Sequence, residues 1–228
     1  MATLTPVRRT LLRDTAYEAI RDAIVRGDFP PGTVVSNAAV AGQLGLSRAP
    51  VRDALARLAG EGLVETKPQS YTRVTQLVPK EVRDAAEAVR AMHELAARIA
   101  VPLLAAGHIE AMHEANRRFE AATGAGDVDA ALDCDDELHG VLVGVCGNRA
   151  VAATIERYTP LIRRLERRQF SPVRARRSVR WHDELIAACA AGDAGQAIEV
   201  SLNATVVRAQ IKKQNSFSLD HVLVNQEV

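Results

Sequence analysis

The stretch LGLSRAPVRDALARLAGEGLV (residues 44–64) leaves the chain around it few ways to fold. Gly45 ends a short helix, and Ser47 stands as the N-cap of the next. Pro50 falls inside the first turn of that next helix, where a missing N–H costs little. From there Val51, Ala54, Leu55 and Leu58 recur at helical spacing and turn inward to about Ala59, while Arg48 and Arg52, four apart, share a different face. Asp53 and Arg57 form a surface pair on the same helix, worth only tenths of a kcal/mol.

The flanks complete the unit. Leu12 to Arg26 carries Ala16, Ile20, Ala23 and Ile24 at helical spacing, with Gly27 as its stop. DFPPG (Asp28 to Gly32) forbids further helix. Ser36 caps a short helix, Asn37 to Gln43, that buries Val40 and Leu44. After the third helix, Leu63 to Lys67 and Thr72 to Gln76 alternate as two strands, joined by a turn through Pro68, Gln69, Ser70 and Tyr71. Three helices with short polar joins followed by a β-hairpin is the plan of a winged helix-turn-helix. VPKE (Val78 to Glu81) marks the boundary, giving domains at 1–77 and 78–228.

Such a domain reads duplex DNA with the N-terminal end of its third helix, which needs short polar or cationic side chains there and an anchored apolar face behind them. Ser47, Arg48 and Arg52 supply this. The guanidinium fork suits guanine O6/N7 and phosphate equally, so the residues alone do not divide these tasks between the two arginines. Taken in isolation the helix would pass for a solvated amphipathic one; the helix before it and the hairpin after it argue for DNA. Charge points the same way, since residues 1–78 carry 10 Lys/Arg against 7 Asp/Glu and the remainder 19 against 21.

Beyond residue 78 everything reads helical: about 80–105, 108–123, 127–145, 149–169, 173–191 and 194–213, with breaks at Gly107, Gly124-Ala125-Gly126, Gly147-Asn148, Ser171-Pro172 and Gly192-Asp193. Loops this short imply an antiparallel bundle, so the fold class is mainly α: a winged helix-turn-helix plus a helical bundle. Aromatics are only 4% and Ala, Leu, Val and Arg dominate, a mixture that favours helix. The tail from Gln214 to Val228 has no clear pattern.

Within the bundle, Asp135 and His139 lie four apart on one helix face, a spacing that lets a carboxylate and an imidazole share one cation. The same spacing also describes an ordinary structural pair. His182 completes the set only if the bundle brings it close. Arg90 could hold a carboxylate bidentately or form an ion pair with a helix neighbour. The run Arg163, Arg164, Arg167, Arg168, Arg174, Arg176, Arg177 and Arg180 reads mostly as a solvated face, with one or two members turned into a cavity or a dimer contact. His93, His108, His113 and His221 have no partner spacing.

Residues 1–76 resemble the DNA-binding domain of the GntR family of bacterial transcription regulators, through PPG, LGLSRAPVRDAL and EGLV. The resemblance implies a homodimer on an inverted-repeat double-stranded DNA operator, with Ser47, Arg48 and Arg52 on DNA and Ala49 close to a base. It also places Tyr71 and Arg73 on the wing. Ala38 stands where many members carry a basic residue, and Tyr71 occupies the wing tip where glycine is usual.

The bundle resembles the ligand-binding domain of the FadR-type (FCD) branch, through VRAMHELAARIA, DELHGVLVGVCGN and HDELIAACAAGDAGQAI. Many members of that branch bind a divalent metal (Zn, Ni or Mn) through one Asp and three His, and a small carboxylate effector completes the coordination. Asp135, His139 and His182 match three of these positions. Ala204 stands at the fourth, with Asn203 beside it as a candidate toward the effector.

The expected function is therefore a ligand-responsive, sequence-specific transcription regulator, in the repressor sense, and not an enzyme. Two other readings stay open: an effector-free DNA-binding dimer with a degenerate bundle, and a metal-dependent hydrolase built on Asp135, His139 and His182. No HExxH, GxSxG, P-loop or GxGxxG supports the latter. Three cysteines without CxxC spacing read as reduced thiols, and MATLTPVRRTLLRD lacks the apolar core of an export signal. No run approaches the ~18 apolar residues of a membrane span. The expected location is cytoplasmic.

Overall fold

The computed structural model describes residues 12–68 and 70–204, without the side chains of 172–174 and 202–204. The chain divides into two compact units, with the break between Leu77 and Val78.

The first unit holds α1 (Leu12–Arg26), α2 (Asn37–Leu44), α3 (Arg48–Gly60) and an antiparallel hairpin of β1 (Val64–Lys67) and β2 (Tyr71–Val74). Its core joins Tyr17, Ile20 and Ile24 of α1 to Val51, Leu55 and Leu58 of α3, over Leu63, Val64 and Val74 beneath the hairpin. Ser36 caps α2 as expected, its hydroxyl accepting from the Ala39 amide. Leu44 is only partly buried, and Ala41 takes the inward position beside Val40.

The hairpin is placed one residue differently from the alternation. Tyr71 is the first residue of β2, opposite Lys67, and not part of the tip. Gln69, in the turn, lies outside the described residues. The segment after DFPPG also pairs with β2: Val35 N donates to Thr72 O, Val74 N to Thr33 O, and Gly32 N to Val74 O. Gly32 has φ +85°, a left-handed conformation that glycine adopts without a Cβ penalty. These bonds occupy the outer edge of β2 and tie the wing to the entrance of α2.

The second unit is a bundle: α4 (Pro79–Ala100), α5 (Ala106–Ala125), α6 (Val128–Cys146), α7 (Arg149–Arg168), α8 (Pro172–Ala190) and α9 (Ala194–Ala204). Helix α4 packs against α6, α7 and α9, and α5 against α6 and α8. Small residues on α4 (Ala96, Ala97, Ala100) let its neighbours approach, and Met112, Leu138, Leu185 and Ile186 fill the space between them.

Two boundaries depart from expectation. Helix α4 ends at Ala100 because Pro102 lies in the following 3₁₀ turn, Val101–Leu103, and cannot continue an α-helical ladder. Gly107 is not a break but sits inside α5, whose start is secured by His108 Nδ1 accepting from the Ala105 amide at 3.0 Å. At the far end Gly124 is helical, and Gly126 alone takes the left-handed stop. Helix α9 is described to Ala204, and the expected continuation to residue 213 and the tail lie outside the described residues.

A candidate DNA-reading helix and a candidate metal centre

Ser47 sits at the N-cap of α3 with extended backbone, yet its side chain makes no capping hydrogen bond. Ser47, Arg48, Ala49 and Arg52 are all exposed, while Val51, Ala54, Leu55 and Leu58 are buried on the opposite side. The N-terminal end of α3 thus presents a hydroxyl, two guanidiniums and a methyl group from a rigid, anchored helix. Arg52 has only a loose contact with Asp53, at 3.7 Å with both side chains exposed. On the wing, Arg73 pairs with Glu65 across the strands and stacks over the Tyr71 ring at 4.7 Å.

Behind α3 a polar clasp fixes its relation to α1. The Tyr17 hydroxyl donates to Glu61 at 2.9 Å, and Arg57 bonds Glu61 while lying 3.6 Å above the Tyr17 ring centre. Burial and the neighbouring Glu61 push the Tyr17 phenol up to about 12.

In the bundle, α6 and α8 bring Asp135, His139 and His182 together, with one ligand atom from each lying within 4.8 Å of the others. His182 Nε2 is 3.2 Å and His139 Nε2 3.9 Å from the same oxygen, Asp135 Oδ1. The second oxygen, Oδ2, faces Arg163 of α7 at 2.5 Å. Arg163 also reaches Asp136 and Glu166, so a single buried guanidinium meets three carboxylates. Arg163 is thus one member of the arginine run that turns inward. Arg164 is buried as well, and burial with Arg168 nearby lowers it to about 10. Arg176, Arg177 and Arg180 are exposed, as a solvated face requires.

Electrostatics follow from this packing. Burial alone would raise the Asp135 carboxyl, but Arg163, the contact with His182 and the nearby His139 hold it well below the usual carboxylate range. Burial, with His182 and Arg163 adding to it, lowers His139. Burial pushes Glu166 up against the pull of Arg163.

One imidazole has no signal in sequence spacing. His93 of α4 lies with its ring 5.4 Å from that of His139, and burial together with His139 depresses it to about 3. It stands on a different helix, so only the fold brings it here. Arg90 does not stand free: it forms an ion pair with Glu94, one turn on, at 3.1 Å. The side chain of Asn203, and the side chain at Ala204, lie outside the described residues.

The donor set fits a divalent cation. Two imidazole nitrogens and a carboxylate oxygen suit Zn²⁺ and its borderline neighbours. Bonds of 2.0–2.1 Å around a tetrahedral centre put ligand atoms about 3.3 Å apart. The His182–Asp135 separation of 3.2 Å meets that value, and the His139–Asp135 separation of 3.9 Å is wider.

The fold is a winged helix-turn-helix unit with a second, all-helical unit. Known proteins agree. The profile of the bacterial regulatory proteins of the gntR family matches residues 12–74, and that of the FCD domain residues 83–203. An HTH-type transcriptional regulator from the TAR-I ttuE-ttuC' intergenic region of Agrobacterium vitis is 34% identical over 131 residues, covering 56% of this chain and 77% of that one. The HTH-type transcriptional repressor RspR of Escherichia coli K12 is 25% identical over 206 residues, 88% of this chain and 90% of its own. Among solved structures, E. coli McbR/YncC superposes with a TM-score of 0.79 at 18% identity, covering 91% of this chain and all of that one. A GntR regulator from Rhodococcus sp. RHA1 gives 0.73 at 18%, covering 90% and 98%. The chain belongs to the gntR family of bacterial regulatory proteins and is a transcription regulator carrying an FCD domain.

Proposed function

We propose that the chain is a ligand-responsive repressor that binds an inverted-repeat operator as a homodimer in the cytoplasm. Ser47, Arg48, Ala49 and Arg52 read the major groove, and Tyr71 and Arg73 approach the backbone or minor groove from the wing. In the second domain Asp135, His139 and His182 hold a divalent cation of the Zn, Ni or Mn kind. A small carboxylate effector completes the site, with Arg90 and Asn203 as candidate contacts; Arg90 must leave Glu94 to take part. RspR and the D-xylose utilization operon regulator of Paenarthrobacter nicotinovorans, 38% identical over 96 residues, are both named repressors, which supports that sense of regulation.

The observation that carries the reading is the exposed, uncapped N-terminal end of α3 on a buried apolar anchor. Operator and effector would be linked through a reciprocal coupling free energy, each weakening the other equally. The test is operator selection from random duplex DNA, followed by binding at several salt concentrations. The wild type should prefer one sequence by a factor of about 10³ or more over random DNA. Arg52→Ala should weaken operator binding by about 1–3 kcal/mol and relax selectivity at one base pair. A variant that discriminates as the wild type does would remove the recognition-helix assignment. For the cation, His139→Ala should abolish Zn²⁺ uptake, read by calorimetry on the full chain.

A further inference from the structure

Asn116 is a polar residue in the apolar stripe of α5, between Met112 and Phe119, and only 5% exposed. A buried amide is costly unless its donors and acceptor are all met. Its nitrogen lies 2.8 Å from an Asp183 carboxylate oxygen and 3.4 Å from the Val179 carbonyl. Both partners are acceptors only, so the amide must turn its NH₂ toward them. That leaves the Asn116 oxygen facing His182 Nδ1, at 2.9 Å. An amide oxygen accepts and cannot donate, so Nδ1 must carry the proton. His182 Nε2 is thereby left on the side of Asp135 and His139. Phe119, one turn further along the same face of α5, meets the His182 ring edge-on at 4.9 Å and fixes its plane.

We infer that Asn116 is the positioning residue of the candidate metal centre, setting His182 as the Nδ1–H form and so presenting Nε2 to a divalent cation held with Asp135 and His139. Asp183 acts behind it, holding the amide in that orientation, so that a carboxylate–amide–imidazole chain runs from α8 through α5 and back to α8. The inference rests on the metal reading given above. Partners of this kind fix ring orientation and ligand basicity, and their loss costs about 10–100-fold in metal affinity.

The experiment uses the full chain, labelled with ¹⁵N-histidine, and Zn²⁺ alone as the probe. Long-range ¹H–¹⁵N spectra should show His182 with Nδ1 protonated both before and after Zn²⁺, and the metal-induced shift on Nε2. Asn116→Leu should raise the Zn²⁺ Kd about 10–100-fold and change the His182 nitrogen signals. Asn116→Asp alone opposes two carboxylates and should weaken binding too. The exchange Asn116→Asp with Asp183→Asn restores an acceptor toward Nδ1 and a donor between the two positions, and should recover most of the affinity. That recovery separates positioning from a general packing defect.

Zn²⁺ on His182 Nδ1, or an Asn116→Leu chain with unchanged affinity and unchanged His182 signals, would overturn the inference. So would an exchange variant no better than Asn116→Asp alone. A wild-type chain that takes up no Zn²⁺ would remove the metal reading, and with it the role of Asn116 toward a cation. The metal-free spectra would then still decide separately whether Asn116 fixes the ring.

Discussion

Replacing Arg163 by Met keeps most of the aliphatic stem and removes the one buried positive charge that serves Asp135, Asp136 and Glu166. Asp136 is 51% exposed and water screens it, so it contributes little to the cost. Asp135 and Glu166 are 20% and 16% exposed and face an Arg163 that is itself 12% exposed. Stranding buried charge by removing its partner costs about 3–5 kcal/mol. For a domain of this size that is a drop of about 6–20 °C in the melting temperature of the second unit.

The sign with pH is also fixed. Without Arg163 the carboxyl of Asp135 moves above its unfolded value and that of Glu166, already raised by burial, rises further, so the penalty is absent where both states are protonated and grows as pH rises through the new folded values. Arg163→Met should therefore melt closest to the wild type near pH 4 and furthest from it at pH 8. A divalent cation at one fixed concentration should narrow the gap at pH 8, because Asp135 freed of Arg163 binds it more tightly, and each tenfold fall in Kd adds about 1.4 kcal/mol to the folded state. Differential scanning calorimetry at the two pH values, with and without Zn²⁺, reads all of this. A loss under about 1 kcal/mol at pH 8, or one that does not depend on pH, would refute the account of Arg163 as an internal counter-cation.

Three further outcomes follow from the same geometry. His93 is half-buried and held neutral, depressed to about 3, so it stabilises the fold above the unfolded value near 6.5 and that contribution is lost as pH falls from there toward 3; His93→Gln should flatten the acid limb of the melting profile, and a limb of unchanged steepness would show that another group dominates. Tyr17→Phe removes the hydroxyl bond to Glu61 and should cost the first unit about 1 kcal/mol in chemical denaturation, with no loss if Glu61 is fully satisfied by Arg57. Arg48→Ala should weaken DNA binding; if Arg48 serves phosphate, the loss is uniform across sequences and the salt slope falls by about one, whereas a sequence-selective loss would make it a base reader.

The first domain was legible because its signals are local. Caps at Ser36 and Ser47, the stop at Gly45 and the apolar spacing of α3 each depend on neighbours within one or two turns, and Val51, Ala54, Leu55 and Leu58 are all buried as their spacing requires. What escaped was non-local. No periodicity marks Val34 and Val35, yet their segment pairs with β2 some forty residues on. The apolar spacing of α1 does not include Tyr17, which is buried with its hydroxyl on Glu61, 44 positions away. The break placed at Gly107 erred for a related reason. A glycine mid-helix is tolerated, whereas Pro102 imposes its stop through its missing N–H and its clash with the preceding turn.

The candidate metal centre divides along the same line. Asp135 and His139 belong to one helix, so a period of 3.6 residues suffices to pair them; His182 needed a fold to reach them, and the similarity to FCD proteins supplied that expectation. Arg163, His93 and Asn116 come from three other helices, and neither Arg163 nor His93 is distinguishable by type or spacing. Arg163 is one of eight arginines in a basic run, and its inward turn is decided by which face of α7 meets α4 and α6. Asn116 left one trace, a carboxamide at a position where the buried stripe of α5 calls for an apolar side chain. Burying that group is tolerable only if Asp183, Val179 and His182 satisfy it together, and a helix that merely packed would have no use for such an arrangement. A polar residue at a core position, with its hydrogen bonds spent on a ligand-bearing histidine, is therefore better evidence of a site than the charged residues at its rim.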